Sequence, residues 1–285
     1  MTLLRAATCQ VASTSDPDQT LILVRDAIEA AARAGAALAV LPEATMARFG
    51  TRLADVAQPL DGPWAGEVRR LAHEAGLVVV VGMFTPAADG RVANTLLVTG
   101  RDATGRDATG RDATGRVVEE RYDKIHVYDA YGSRESDTVA PGSRPVVVDV
   151  AGVRVGLATC YDLRFPALFT HLARAGADVV VVPSSWGEGP GKSEQWDLLV
   201  RARALDCTCW LVACDQADPA TVGLAATPGQ PGGIGRSSVV TPLGQVRGRL
   251  DGAPGVLVVD LDTEEVRAAR DLLPVLRHAR PLPPA

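Results

Sequence analysis

The sequence predicts a layered α/β protein built as a single domain, and three observations carry that prediction. Apolar runs are spread evenly along all 285 residues, they alternate with stretches of helical periodicity, and Gly, Pro or Asp marks most of the changes of period. A hydrophobic content of 47% is enough to bury one large core.

The first strand is expected at Leu3 to Val11. Asp16 can then cap a helix with Pro17 at its first position, because the carboxylate accepts from free N–H groups and proline has none to lose. Leu21, Val24 and Ile28 follow at helical spacing up to Gly35, and Ala36 to Leu41 reads as a buried strand. Pro63 opens a second helix with Trp64, Val68, Leu71 and Ala75 on one face, ended by Gly76, after which Leu77 to Phe84 is again a buried strand. Further strands are expected at Val92 to Thr99, Val117 to Tyr122, Val146 to Val150 and Val153 to Ala158, the last two joined through Ala151-Gly152 as a tight hairpin. Helices at Pro166 to Ala175 and Glu194 to Asp206 flank a strand at Asp178 to Val182. Strands at Trp210 to Cys214, Ile234 to Thr241 and Gly255 to Asp260 complete the series, and residues 274–285 read as a C-terminal tail.

Two repeats stand out. Ala32-Arg-Ala-Gly-Ala36 and Ala173-Arg-Ala-Gly-Ala177 are identical, and each precedes an apolar strand ending in proline, Pro42 or Pro183, which suggests two pseudo-symmetric halves sharing one core. Gly-Arg-Asp-Ala-Thr occurs three times in succession from Gly100 to Thr114. Charge-balanced and without an apolar face, it cannot bury enough surface to fold, so residues 100–115 are expected to form an expanded flexible hairpin loop between two strands.

Charge and composition exclude several classes. A net charge of -5 without clustering gives no basic stripe for nucleic acid and no basic amphipathic helix for a membrane surface. The longest apolar runs are too short to cross a bilayer, and the chain begins as a strand rather than a signal segment. Five unevenly spaced cysteines do not make a disulfide framework and point to a reducing compartment, so a cytoplasmic location is expected.

Cys160 sits where the strand Val153 to Ala158 runs into the helix-like segment Tyr161 to Phe169. Backbone N–H groups of an incipient helix would face it, a setting expected to stabilise a thiolate and later an oxyanion. Glu43, in Val40-Leu-Pro-Glu-Ala44, follows a buried strand and a proline, at the sheet edge where α/β folds place their sites, and Lys124, in Arg121-Tyr-Asp-Lys-Ile-His126, comes at the end of another strand with bulky neighbours. Taken singly, each is a core cysteine or a surface charge. Taken together, a carboxylate to accept the thiol proton, a thiolate to attack and an ammonium to stabilise the oxyanion make a working amidase. No Gly-x-Ser-x-Gly elbow is present, and the four histidines show no spacing typical of a Cys-His pair, so a carboxylate base is needed.

Leu41-Pro-Glu43, Tyr122-Asp-Lys-Ile-His126 and Cys160-Tyr-Asp-Leu-Arg-Phe-Pro166 resemble, in order, the three signature segments of the nitrilase, or carbon-nitrogen hydrolase, superfamily. The resemblance spans nearly the whole chain, including Glu194 to Asp206, with the pentapeptide repeat as an addition. It implies a four-layer α-β-β-α sandwich over residues 1–285, with Cys160 as nucleophile, Glu43 as general base and Lys124 as the cation at the carbonyl. It further implies Glu135 as a supporting carboxylate and a backbone N–H from Tyr161, with no metal or cofactor. The flanking sequence is most similar to the omega-amidase and deaminated-glutathione amidase branch, which implies a small carboxylate-bearing amide as substrate and association into a homodimer or larger homo-oligomer. Arg164, one helical turn after Cys160, either binds that carboxylate or forms a structural ion pair with Asp162, and Trp186 is a pocket wall or packing.

The sequence departs from the family pattern at Ala44-Thr-Met-Ala47 and at Ala167, which replaces the glutamate common after Phe-Pro. The readings held against amide hydrolysis are nitrile hydrolysis, N-carbamoyl or acyl-transfer chemistry, and a catalytically silent binding protein. Cys207-Thr-Cys209 lacks the ligands of a metal site, and Gly187-Glu-Gly-Pro-Gly-Lys-Ser193 is one residue short of a phosphate loop.

Overall fold

The computed structural model describes residues 2–102 and 116–280. In chain order the strands are β1 Leu3–Gln10, β2 Leu38–Val40, β3 Val78–Pro86, β4 Val92–Asp102, β5 Arg116–Asp123, β6 Val139–Ala140 and β7 Val147–Val150. They continue with β8 Val153–Leu157, β9 Val179–Ser184, β10 Trp210–Asp215, β11 Ser238–Val240, β12 Val246–Arg249 and β13 Gly255–Asp262. The helices are α1 Pro17–Arg33, α2 Leu53–Val56, α3 Pro63–Ala75, α4 Pro166–Arg174, α5 Lys192–Cys207, α6 Thr263–Leu272 and α7 Val275–His278.

One sheet runs β13-β1-β2-β3-β4-β5, with β6 beside β4, and the other runs β12-β11-β10-β9-β8-β7. The halves that the repeated Ala-Arg-Ala-Gly-Ala suggested are visible in this order. Three parallel strands, β1-β2-β3 or β8-β9-β10, continue into two antiparallel ones and are flanked at the start by an antiparallel neighbour, β13 or β7. In both halves the repeat closes a crossover helix and delivers the second parallel strand.

Side-chain alternation builds the layers. Val78, Val80, Val179 and Val181 point into the core between the sheets, whereas Val79 and Val81 pack on α1 and α3, and Val180 and Val182 pack on α4 and α5. The result is the α-β-β-α sandwich, with strands apolar on both faces because both faces are covered. Asp16 caps α1 by accepting from Asp18 N–H at 2.9 Å, and Gly76 ends α3 at φ +67°, as their residue types predict.

Three stretches differ from expectation. The strand expected over Ile234 to Thr241 is ordered only at Ser238–Val240, because the N–H groups of Gly233, Ile234 and Gly235 donate instead to Trp186 O, Asp215 Oδ2 and Gln216 O. Both β12 and α6 escape a hydrophobic reading: β12 is largely exposed, and α6 buries only Thr263, Val266 and Ala269. Within 274–285, Val275–His278 forms a helical turn and Leu276 packs against the core under α4 and α5.

β4 and β5 pair as far as Asp102 and Arg116, and the rest of the pentapeptide repeat lies outside the described residues. All of β5 separates it from Lys124. Among the described residues no helix is long and apolar enough to cross a membrane.

Candidate active site

Glu43, Lys124 and Cys160 each follow the end of a strand, β2, β5 and β8 respectively, and the sandwich brings the three to one rim. Glu43 and Lys124 are fully buried, and Lys124 Nζ donates to Glu43 Oε1 at 2.9 Å and to Glu135 Oε2 at 2.8 Å. Glu43 Oε2 accepts from Ser185 N–H at 2.9 Å, and Glu135 Oε2 accepts from Tyr128 N–H at 2.5 Å. The supporting glutamate therefore sits on the cation, inside the cluster rather than in a solvated loop.

Two further side chains position these groups, Asn94, which the sequence reading missed, and Asp162, which it considered only as a partner for Arg164. Asn94, in the middle of β4, donates from Nδ2 to Glu43 Oε1 at 2.8 Å and to Glu135 Oε1 at 3.1 Å, holding two carboxylates together with a neutral donor. Asp162 accepts from Thr159 N–H at 2.8 Å, from Tyr122 Oη at 2.6 Å and from His126 N–H at 3.1 Å. It thereby ties the turn around Cys160 to the residues on both sides of Lys124. Asp162 is thus fully engaged and is not the ion-pair partner considered for Arg164, which instead donates to Gln195 Oε1 at 2.6 Å.

Cys160 begins a 3-10 turn, Cys160–Arg164, that breaks at Phe165 before α4. Its backbone is left-handed, φ +44°, a strained conformation for a residue with a Cβ and one held here by the contacts of Asp162. The thiol does not rest as the stabilised thiolate that the strand-to-helix junction suggested. Burial first, and the Glu43 carboxylate second, push its pKa well above that of an ordinary thiol, with Lys124 opposing them. Glu43 is itself raised above the usual carboxylate value, chiefly by burial, against the pull of Lys124. Burial works against the Lys124 ammonium too, but Glu135 and Glu43 overcome it and hold the lysine charged. Cys160 is therefore held as the thiol, beside the Glu43 carboxyl.

A cavity of about 860 Å³ opens onto these groups. Tyr161, Arg164 and Trp186 all line it. Trp186 is both wall and packing: its ring lies 5.2 Å from the Arg164 guanidinium and 5.3 Å from Trp196, its indole N–H donates to Lys192 O at 3.0 Å, and its backbone N–H donates to Asp215 Oδ1 at 2.7 Å. Cys207 and Cys209 are buried far from this opening, as core cysteines.

Gly82 of β3 fixes the height of the loop bearing Glu43. Its N–H donates to Pro42 O and its carbonyl accepts from Met46 N–H, while a Cβ there would lie 2.7 Å from Pro42 O and 2.8 Å from Glu43 Cα. Gly82→Ala is expected to cost about 1–3 kcal/mol of stability through overpacking. By shifting Glu43, it should also lower turnover by on the order of 100-fold. Steady-state kinetics beside a denaturation curve tests this, and a stable, fully active variant would refute the clamp.

The carbon-nitrogen hydrolase family model matches residues 5–271. The chain belongs to the carbon-nitrogen hydrolase family. This carbon-nitrogen hydrolase is 52% identical over 277 residues to a hydrolase of Mycobacterium tuberculosis, covering 96% of this chain and 95% of that protein. It is 33% identical over 280 residues to the deaminated glutathione amidase of Escherichia coli O157:H7, covering 96% and 97% of the two chains. Among solved structures, it is similar to a mutant of the amidase from Nesterenkonia sp. AN1 that carries the acetamide moiety of fluoroacetamide on its active-site cysteine. That similarity is 25% identity with a TM-score of 0.74, over 97% of this chain and 94% of that one. The enzyme class and the nitrilase-type fold are thereby established for this chain.

Proposed function

We propose that this enzyme is an amidase that hydrolyses a small carboxylate-bearing amide to acid and ammonia or amine, through a thioester on Cys160. The observation that carries the reading is the buried Glu43–Lys124–Glu135 cluster opening, with Cys160, onto a cavity that also holds Arg164. Among the described residues Arg164 has one hydrogen-bond partner, Gln195 Oε1 at Nη2, and its Nε is buried without one. A guanidinium with vacant donors beside a nucleophile suits a carboxylate held two-pronged.

In this reading Glu43 takes the thiol proton as Cys160 Sγ attacks the amide carbon. Lys124 Nζ and the N–H of Tyr161 stabilise the oxyanion. The intermediate collapses as protonated Glu43 gives its proton to the departing nitrogen. Water deprotonated by Glu43 then attacks the thioester, and the proton returns to the sulfur. The curated relatives named as deaminated glutathione amidases support the substrate class.

An ammonia- and amine-release screen over 2-oxoglutaramate, deaminated glutathione, aliphatic amides and nitriles tests it. Hydrolysis of nitriles with no release from amides would overturn it. Arg164→Met is expected to raise KM for carboxylate-bearing amides by roughly 10- to 100-fold while changing kcat less, since a charge-assisted bidentate contact is lost.

A further inference from the structure

Besides Arg164, the cavity is lined by another cation that has no carboxylate partner among the described residues. Lys192, the first residue of α5, is only 7% exposed and lines the same opening as Cys160 and Arg164. Its Nζ lies 3.4 Å from the centre of the Tyr131 ring and 3.2 Å from the Tyr128 hydroxyl. Among the described residues no carboxylate pairs with it or with Arg164, whereas Arg52, Arg91 and Arg134 around the same cavity each have an acidic partner.

The position is a costly one for a lysine. The N-terminus of a helix carries partial positive charge, which disfavours a cation there. Burial, and after it the neighbouring Arg164, lower the pKa of the ammonium, with Tyr131 and Cys160 opposing them. The aromatic face and the hydroxyl compensate in part, but neither brings negative charge. An anion at this point would offset all three penalties together.

We propose that Lys192 is a specificity-determining residue that binds a second acidic group of the substrate, the first being held by Arg164. The preferred amide is then a dianion whose scissile carbonyl is presented to Cys160 between the two cations. This rests on the amidase reading above and adds to it a residue and a charge requirement. A purely structural alternative exists: Lys192 also tethers α5 to the loop carrying Glu135, through Tyr128 and Tyr131. A tether would act on every substrate alike.

The test compares kcat/KM for 2-oxoglutaramate, with one carboxylate, and for deaminated glutathione and its glycine methyl ester, which differ by one charge. In the wild type the dianion is expected to exceed its ester at least tenfold, through KM rather than kcat. Lys192→Met should collapse that ratio to near one, and Lys192→Arg should restore most of it. A wild-type enzyme indifferent to the ester overturns the proposal whatever the variants do, and so does a Lys192→Met variant that slows all three substrates equally. If the wild type releases ammonia or amine from none of these amides, the amidase reading itself fails, and hydrolysis without charge preference refutes only the role of Lys192.

Discussion

Cys160→Ala is expected to lower amide hydrolysis by at least on the order of 10,000-fold, since the covalent route has no other nucleophile in the cluster. The fold should survive. Alanine keeps the same backbone requirement at φ +44°, and Asp162, which pins that turn, is untouched. Removing the thiol also leaves the Glu43–Lys124–Glu135 hydrogen bonds in place. Substrate binding through Arg164 should persist, so calorimetry on the inactive variant would still report a carboxylate-bearing amide. Cys160→Ser should be nearly as inactive, because a hydroxyl is a far weaker acid than a thiol and Glu43, although raised, is no match for it. Retained hydrolysis by purified Cys160→Ala, with melting unchanged, would remove Cys160 from the mechanism.

The sequence disclosed those parts of this site that lie at strand ends, because a reactive or charged side chain just past a strand is conspicuous. Glu43 and Cys160 come after apolar runs and Lys124 after a more polar strand, and the layered fold followed from the apolar runs. Asn94 has no such signal: it lies inside β4 between Ala93 and Thr95, where alternation alone assigns it to a face. Only the pairing of β4 with β3 and β5 puts it between two carboxylates. Asp162 was visible but was considered for the wrong partner, since proximity in sequence favours Arg164 while the folded chain offers Tyr122 and His126. Lys192 belongs to the glycine-rich run that is one residue short of a phosphate loop, and nothing in that run points to its partners Tyr128 and Tyr131, which are far away in sequence. Long-range polar contacts leave no periodicity to read.

Lys124→Met should be the most destabilising single change in the site, and its cost should depend on pH. Without the ammonium, Glu43 and Glu135 face each other in the interior with only neutral donors between them. Breaking a buried ion pair from one side costs about 3–5 kcal/mol at neutral pH. Glu43 is already raised, and Lys124 is the main influence holding it down, so removing the ammonium moves Glu43 further up. Between the unfolded carboxylate value, about 4.3, and the higher folded value, the native state binds more protons than the unfolded state. Stability then falls as pH rises through that window, by up to about 1.4 kcal/mol per pH unit for each extra proton, and returns as pH is lowered. Urea unfolding of variant and wild type at three values between pH 5 and 8.5 measures this difference, and a deficit independent of pH would show that the two carboxylates are not repelling in the variant. Turnover should separate from stability: acidification restores the fold but not the cation, so activity stays on the order of 100- to 1,000-fold down even where the variant is fully folded. Lys124→Arg should not rescue it, because a planar fork cannot place one compact charge between Glu43 Oε1 and Glu135 Oε2 and still face the substrate carbonyl.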